Sequence, residues 1–197
     1  MKKSKYRKGL ATLLKKPFFT TADAKKYGVP VQTLAYLMVK GKLERIQRGI
    51  YRVLQYEPVV DFQWENLALI AASIPKGVIC LVSALCYYEL SDQIMREVWI
   101  AIPHESKAPK RLRTRIVRMR NLSLGRVRIN LGEFKVQIFN RERSVVDAFR
   151  FLGIEIALKA LQSYLRSKDH KPQIGKLAEY AKRLRVDLTP YILSYTT

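Results

Sequence analysis

Gln32, Thr33, Tyr36 and Lys40 place an amide, a hydroxyl, a phenol ring and an ammonium close together in one short stretch. At 100° per residue, Gln32 and Tyr36 share one side of a helix with Val39, and Thr33 and Lys40 flank that side. An amide so placed can read adenine, a ring can touch a thymine methyl, and the flanking groups can hold phosphates. Leu34, Leu37 and Met38, with Val31 beside them, form the opposite side as a core stripe. Downstream, Arg48 lies at the tip of a hairpin with Arg45 and Arg52 on its arms, within reach of a phosphate backbone or an adjacent minor groove. Thr20 and Thr21 complete this candidate DNA-binding set, and either can also cap the helix that follows them.

Other chemistry finds less support. Glu133, Phe134 and Lys135 form the acidic-x-lysine pattern of metal-dependent nuclease strands, but Glu133 falls at a predicted turn and no upstream strand supplies a partner aspartate. His104 and His170 lack a nucleophile or a second histidine at useful spacing, and there is no glycine-rich phosphate loop. Asp147, near a helix start with Arg143 and Arg150 in reach, reads as a structural charge partner. Cys80 and Cys86 read as reduced core residues, with neither a disulfide framework nor a zinc site. No catalytic residue, metal site or cofactor is expected.

Charge agrees with the first set. Across 197 residues, 37 Lys and Arg face 16 Asp and Glu, a net +21 at pH 7 that calls for a polyanionic partner. Residues 1–56 hold 14 basic and 2 acidic residues, residues 57–100 hold 2 and 6, and residues 101–143 hold 12 and 3. Two basic regions are thus separated by an acidic one. The expected division is a DNA-binding domain over 1–56 and a second domain over 57–197, with the boundary in Tyr56 to Val60. The basic start is broken by Lys15, Lys16 and Pro17 before a signal-peptide core can form. The apolar run from Asn66 to Tyr88 is interrupted at Pro75, Lys76 and Gly77, so two helices joined by a turn are expected rather than a membrane span. A cytoplasmic location without membrane contact follows.

The elements that must position the first set are helices from Ser4 to Leu14, from Thr20 or Thr21 to Gly28, and from Val31 to Lys40 with Gly41 as terminator. Strand-like runs at Leu43 to Ile46 and Ile50 to Leu54 surround Gln47, Arg48 and Gly49. Together these predict a winged helix-turn-helix.

Gly28, Val29, Thr33, Leu34, Leu37, Gly41, Leu43, Gly49 and Tyr51 resemble the N-terminal winged helix-turn-helix of the AbiEi family of antitoxins. Ser144 to Arg150, reading SVVDAFR, with Gly153 and the helix carrying Ala157, Leu158, Leu161, Tyr164 and Leu165, resembles that family's C-terminal domain. Pro30 departs from the family's serine-like helix cap, although proline is tolerated at a helix start. The resemblance implies an autorepressor that binds inverted repeats in double-stranded operator DNA. It also implies a C-terminal domain that opposes a cognate nucleotidyltransferase-like toxin, typically without a stable complex. A winged-helix regulator unrelated to a toxin, or a nuclease fused to a winged helix, are the alternatives.

The overall class is α+β, the second domain combining a small, mostly antiparallel sheet with packed helices. Its strands are expected at Val98 to Ile102 and about Thr114 to Arg120, followed by a hairpin turning at Gly132 and Glu133. Helices follow from about Ser144, Glu155 and Ile174. Lys107, Lys110, Arg111 and Arg113 form a basic loop. Arg115, Arg118 and Arg120 lie on a strand, and Arg126 and Arg128 on the hairpin. This second basic surface reads as an RNA- or DNA-facing surface, as a dock for an acidic partner, or as a solvated sheet edge.

Overall fold

The computed structural model describes residues 3–56, 62–74, 76–132 and 134–196. The chain divides into two compact units, Met1–Ser73 with Leu131–Phe134, and Ile74–Asn130 with Lys135–Thr197.

The first unit runs α1 (Lys3–Leu14), β1 (Phe18–Thr20), α2 (Thr21–Lys26), α3 (Val31–Val39), β2 (Leu43–Gln47), β3 (Ile50–Val53) and α4 (Phe62–Ser73). Helix α2 starts at a capping box: Thr20 Oγ1 accepts from the Asp23 amide at 3.1 Å, and the Asp23 carboxylate accepts from the Thr20 amide at 2.8 Å. Helix α3 starts after Pro30, whose φ of −65° suits a helix entry without a capping side chain. It ends at Gly41, where φ of +65° lets the Lys42 amide reach Leu37 O and the Gly41 amide reach Met38 O. This double closure favours glycine because a Cβ is strained in the left-handed region.

The strands form an antiparallel sheet of order β1-β3-β2, with Phe19 opposite Tyr51 and Arg45 opposite Tyr51 from the other side. Leu13, Phe19, Leu34, Leu37, Leu43, Tyr51 and Val53 make the core, and the Phe19 and Tyr51 rings stack at 5.6 Å. Val31, expected beside this core, is exposed instead, because the first turn of α3 lies outside the layer that Leu34 and Leu37 enter. The expected boundary after Tyr56 touches residues 57–60, which lie outside the described ones. Helix α4 groups with the first unit because Leu69 packs with Phe18 and Ile50, and buried Glu65 accepts from Arg52 at 2.6 Å. An apolar helix face, rather than the charge change along the chain, decides where this unit ends.

In the second unit, β4 (Val78–Ile79), α5 (Leu81–Tyr87), β5 (Val98–Pro103), β6 (Thr114–Met119), β7 (Arg126–Leu131) and β8 (Phe134–Phe139) precede α6 (Arg141–Phe151), α7 (Ile154–Arg166), α8 (Ile174–Leu184) and α9 (Thr189–Thr196). The sheet order is β6-β5-β4-β8-β7. Strand β4 is antiparallel to β5 and parallel to β8, and β5 is parallel to β6. The sheet is therefore mixed, not mostly antiparallel. The cause is β4, a two-residue strand in the stretch read as a turn between helices, which takes the centre of the sheet. The expected Pro75 break and Glu133 turn residue lie outside the described residues.

Val145, Ala148, Ala157, Leu161, Tyr164, Leu177 and Ala181 pack the helices together. Val78, Ala101, Met119 and Phe139 belong to a second cluster at the sheet. Helix α6 begins three residues before the expected Ser144 because Asn140 caps it, its Oδ1 accepting from the Arg143 amide at 3.0 Å. Between β6 and β7 the chain must pass from one edge of the sheet to the other, and residues 120–125 make that crossing. Fully buried Arg143 holds it: Nη1 donates to Asn121 O and Leu124 O, both at 3.0 Å, while Nε donates to Asp147 at 2.7 Å. The other Asp147 oxygen accepts from Arg150 at 2.7 Å, so this carboxylate is the structural charge partner that its spacing implies.

Candidate nucleic-acid interface

Helix α3 presents Gln32 and Tyr36 to solvent as its sequence requires, with Val39 beside them and Thr33 half-buried at the flank. Lys40, on the last turn, lies over the Tyr36 ring with Nζ 5.8 Å from its centroid. Because Leu34 and Leu37 anchor the helix from behind, the exposed side chains project from a fixed base. The β2–β3 hairpin adds Arg45 and Arg48, both exposed. Its tip is fastened to the start of α2 by the Thr21 amide, which donates to Gly49 O at 2.9 Å.

Three members of the predicted set are otherwise occupied. Arg52 turns inward: it pairs with Glu65 at 2.6 Å and Glu44 at 3.6 Å, and its guanidinium lies 5.3 Å from the centre of the Phe18 ring. Its charge is thus met within the unit. Thr20 donates its hydroxyl to Asp23 at 2.7 Å while capping α2, and Thr21 is half-buried beside Gly49. Both threonines fix the backbone of α2 through local contacts. The missed partner, Glu65, follows Arg52 by thirteen residues on another element, a separation that no local pattern reports.

The second basic set does not form one surface. Strands β6 and β7 are opposite edges of the sheet, four strand spacings or about 19 Å apart. Along β6, Arg115 and Arg118 are three residues apart and so point to opposite faces. Arg115 pairs with Glu97 at 3.6 Å and lies 4.3 Å from the centre of the Trp99 ring, whereas Arg118 Nε donates to Ser106 O at 3.4 Å. Arg126 and Arg128 share the exposed side of β7, with Lys135 exposed on β8. Lys107, Lys110 and Arg113 are exposed in the loop before β6, Arg111 is half-buried there, and Arg120 is exposed just after the strand.

Among the described residues, no three His, Cys, Asp or Glu side chains come together in a metal-binding group, and no helix is long and apolar enough to cross a membrane. Cys80 is buried and Cys86 half-buried, and burial pushes both thiols upward in pKa. His104 is exposed, whereas half-buried His170 is held below the usual histidine range by desolvation and lies against the Tyr164 ring at 5.2 Å.

Among curated proteins the chain finds no match. Residues 10–54 match the family model described as transcriptional regulator, AbiEi antitoxin. They include α2, α3, the three-stranded sheet and the last five residues of α1. The segment that presents Gln32, Tyr36, Arg45 and Arg48 is thus the one this chain shares with the transcriptional regulators of the AbiEi antitoxin family.

Proposed function

We propose that this chain is a cytoplasmic DNA-binding antitoxin. Its first unit acts as a winged helix-turn-helix that represses its own operon by binding promoter inverted repeats. Helix α3 enters the major groove, Gln32 and Tyr36 meet base edges, and Arg45 and Arg48 on the hairpin hold the backbone. The observation that carries this reading is the exposed Gln32–Tyr36 face standing beside a cationic hairpin, with its helix anchored by Leu34 and Leu37.

The test compares the full chain and its variants on the promoter fragment upstream of its own coding sequence and on an unrelated duplex. A lost base contact costs about 1 to 3 kcal/mol, so Gln32→Ala with Tyr36→Ala should erase most of the preference for the promoter. Arg48→Ala should weaken both duplexes alike and reduce the slope of log affinity against log salt by about one. Unchanged promoter preference in the double variant would remove this face from the reading role.

The second unit would counteract a nucleotidyltransferase-like toxin without forming a stable complex, a role supported by the family match in the first unit. Co-expression with the adjacent toxin gene tests it. Growth should be rescued by the wild-type chain and also by the Gln32/Tyr36 double variant, because repression and rescue use different units. Absence of rescue by the wild-type chain would leave a DNA-binding regulator only.

A further inference from the structure

Helix α3 is apolar on both sides. Leu34 and Leu37 are buried, yet Ala35 is exposed and Val31, Tyr36 and Val39 are 59%, 58% and 86% exposed. Single exposed apolar residues are ordinary, but four on a nine-residue helix form a continuous patch that costs solubility unless something covers it. Gln32, Ala35, Tyr36 and Val39 fall at i, i+3, i+4 and i+7, a single stripe about 10 Å long at 1.5 Å per residue. That length matches about three base-pair steps of 3.4 Å.

The surroundings identify the occupant. Lys40, Lys42, Arg45 and Arg48 are exposed near the stripe, and among the described residues none of them enters an ion pair. Both acids within residues 1–56 are engaged locally, Asp23 in the cap of α2 and Glu44 with Arg52. An apolar stripe among unpaired cations fits a ligand with an anionic margin and apolar groups inside it. The DNA major groove has that layout: phosphates line it, and the apolar group it offers on base edges is the C5-methyl of thymine.

We propose that the α3 stripe reads thymine methyl groups, with Ala35 and Val39 as specificity-determining contacts beside Tyr36, and Gln32 supplying the hydrogen-bonding component. This rests on the DNA-binding reading above and names the feature that is read. Apolar readout needs no directional partner, so the preference should follow the methyl group itself rather than the base pair that carries it.

The experiment selects duplexes from a random-sequence library with the full-length chain, then rebuilds the enriched duplex with deoxyuridine in place of thymidine. Deoxyuridine keeps every hydrogen-bonding group and removes only the methyl. Each methyl that is read should contribute about fourfold, so binding should fall by that factor at each contacted thymine and by their product when all are replaced. Val39→Thr keeps the side-chain shape, exchanges a methyl for a hydroxyl at an exposed position, and should lower the thymidine-to-deoxyuridine affinity ratio. Equal binding of the two duplexes, or an unchanged ratio in Val39→Thr, would overturn the assignment while leaving DNA binding intact. Failure to enrich any sequence would overturn the DNA-reading role and this inference together.

Discussion

Arg143→Ala is expected to destabilise the second unit by about 3 to 5 kcal/mol, the usual cost of leaving one member of a buried ion pair alone. The substitution strands Asp147, which is fully buried and keeps only Arg150, and it removes both hydrogen bonds to the crossing between β6 and β7. Buried carbonyls left unsatisfied add to the penalty. Since a domain of this kind is stable by about 5 to 15 kcal/mol, most of its margin is at risk. Urea unfolding followed by Trp99 fluorescence reads the effect, because this tryptophan belongs to the second unit. Arg143→Met with Asp147→Leu should recover part of the loss, since two apolar side chains leave no stranded charge. A single-variant cost below about 1 kcal/mol would mean that water enters the site and replaces Arg143.

Gly125→Ala should cost about 2 to 5 kcal/mol, from a left-handed backbone and an overfilled space acting together. Gly125 has φ of +71°, and a Cβ built there would stand 2.6 Å from Arg143 Cβ and 2.8 Å from Asn140 Oδ1. Gly41 supplies the control. Its φ is +65° but nothing lies within 4 Å of the Cβ position, so Gly41→Ala should show the backbone penalty alone, about 1 to 2 kcal/mol. Thermal and urea midpoints for the two variants separate strain from crowding. Equal costs would show that Arg143 and Asn140 yield without resistance.

The parts of the fold that follow short-range rules are legible in the sequence. A threonine cap at Thr20 marks the start of α2, Gly28 and Gly41 close two helices, and Gly49 marks the hairpin tip. The outward side of α3 follows from helical periodicity alone. Strands β1 and β4 do not, because three and two residues are too few to show alternation. Arg52 illustrates another limit: position on a hairpin arm suggests a free cation, but Glu65, on a different element, decides its role. Closeness along the chain also made the arginines of β6 and β7 look like one surface. Pairing through β4 and β8, which links residues distant in sequence, puts those two strands at opposite edges. Arg143 had a visible signal, an arginine four residues before an aspartate on one helix, but the spacing does not reveal that the pair is buried or that it reaches Asn121 and Leu124.

An open sheet has two outer strands, and an unprotected one is a template on which another copy can polymerise. Here the outer strands β6 and β7 both carry arginines, so copies approaching edge to edge bring like charges to a strand spacing of about 4.8 Å. The protection is electrostatic, and its range is set by the solvent. At 0.1 M salt the screening length is about 10 Å, longer than that spacing, but at 1 M it is about 3 Å, shorter than that spacing. The repulsion that these edge arginines supply is therefore expected to hold at low ionic strength and to fade in concentrated salt.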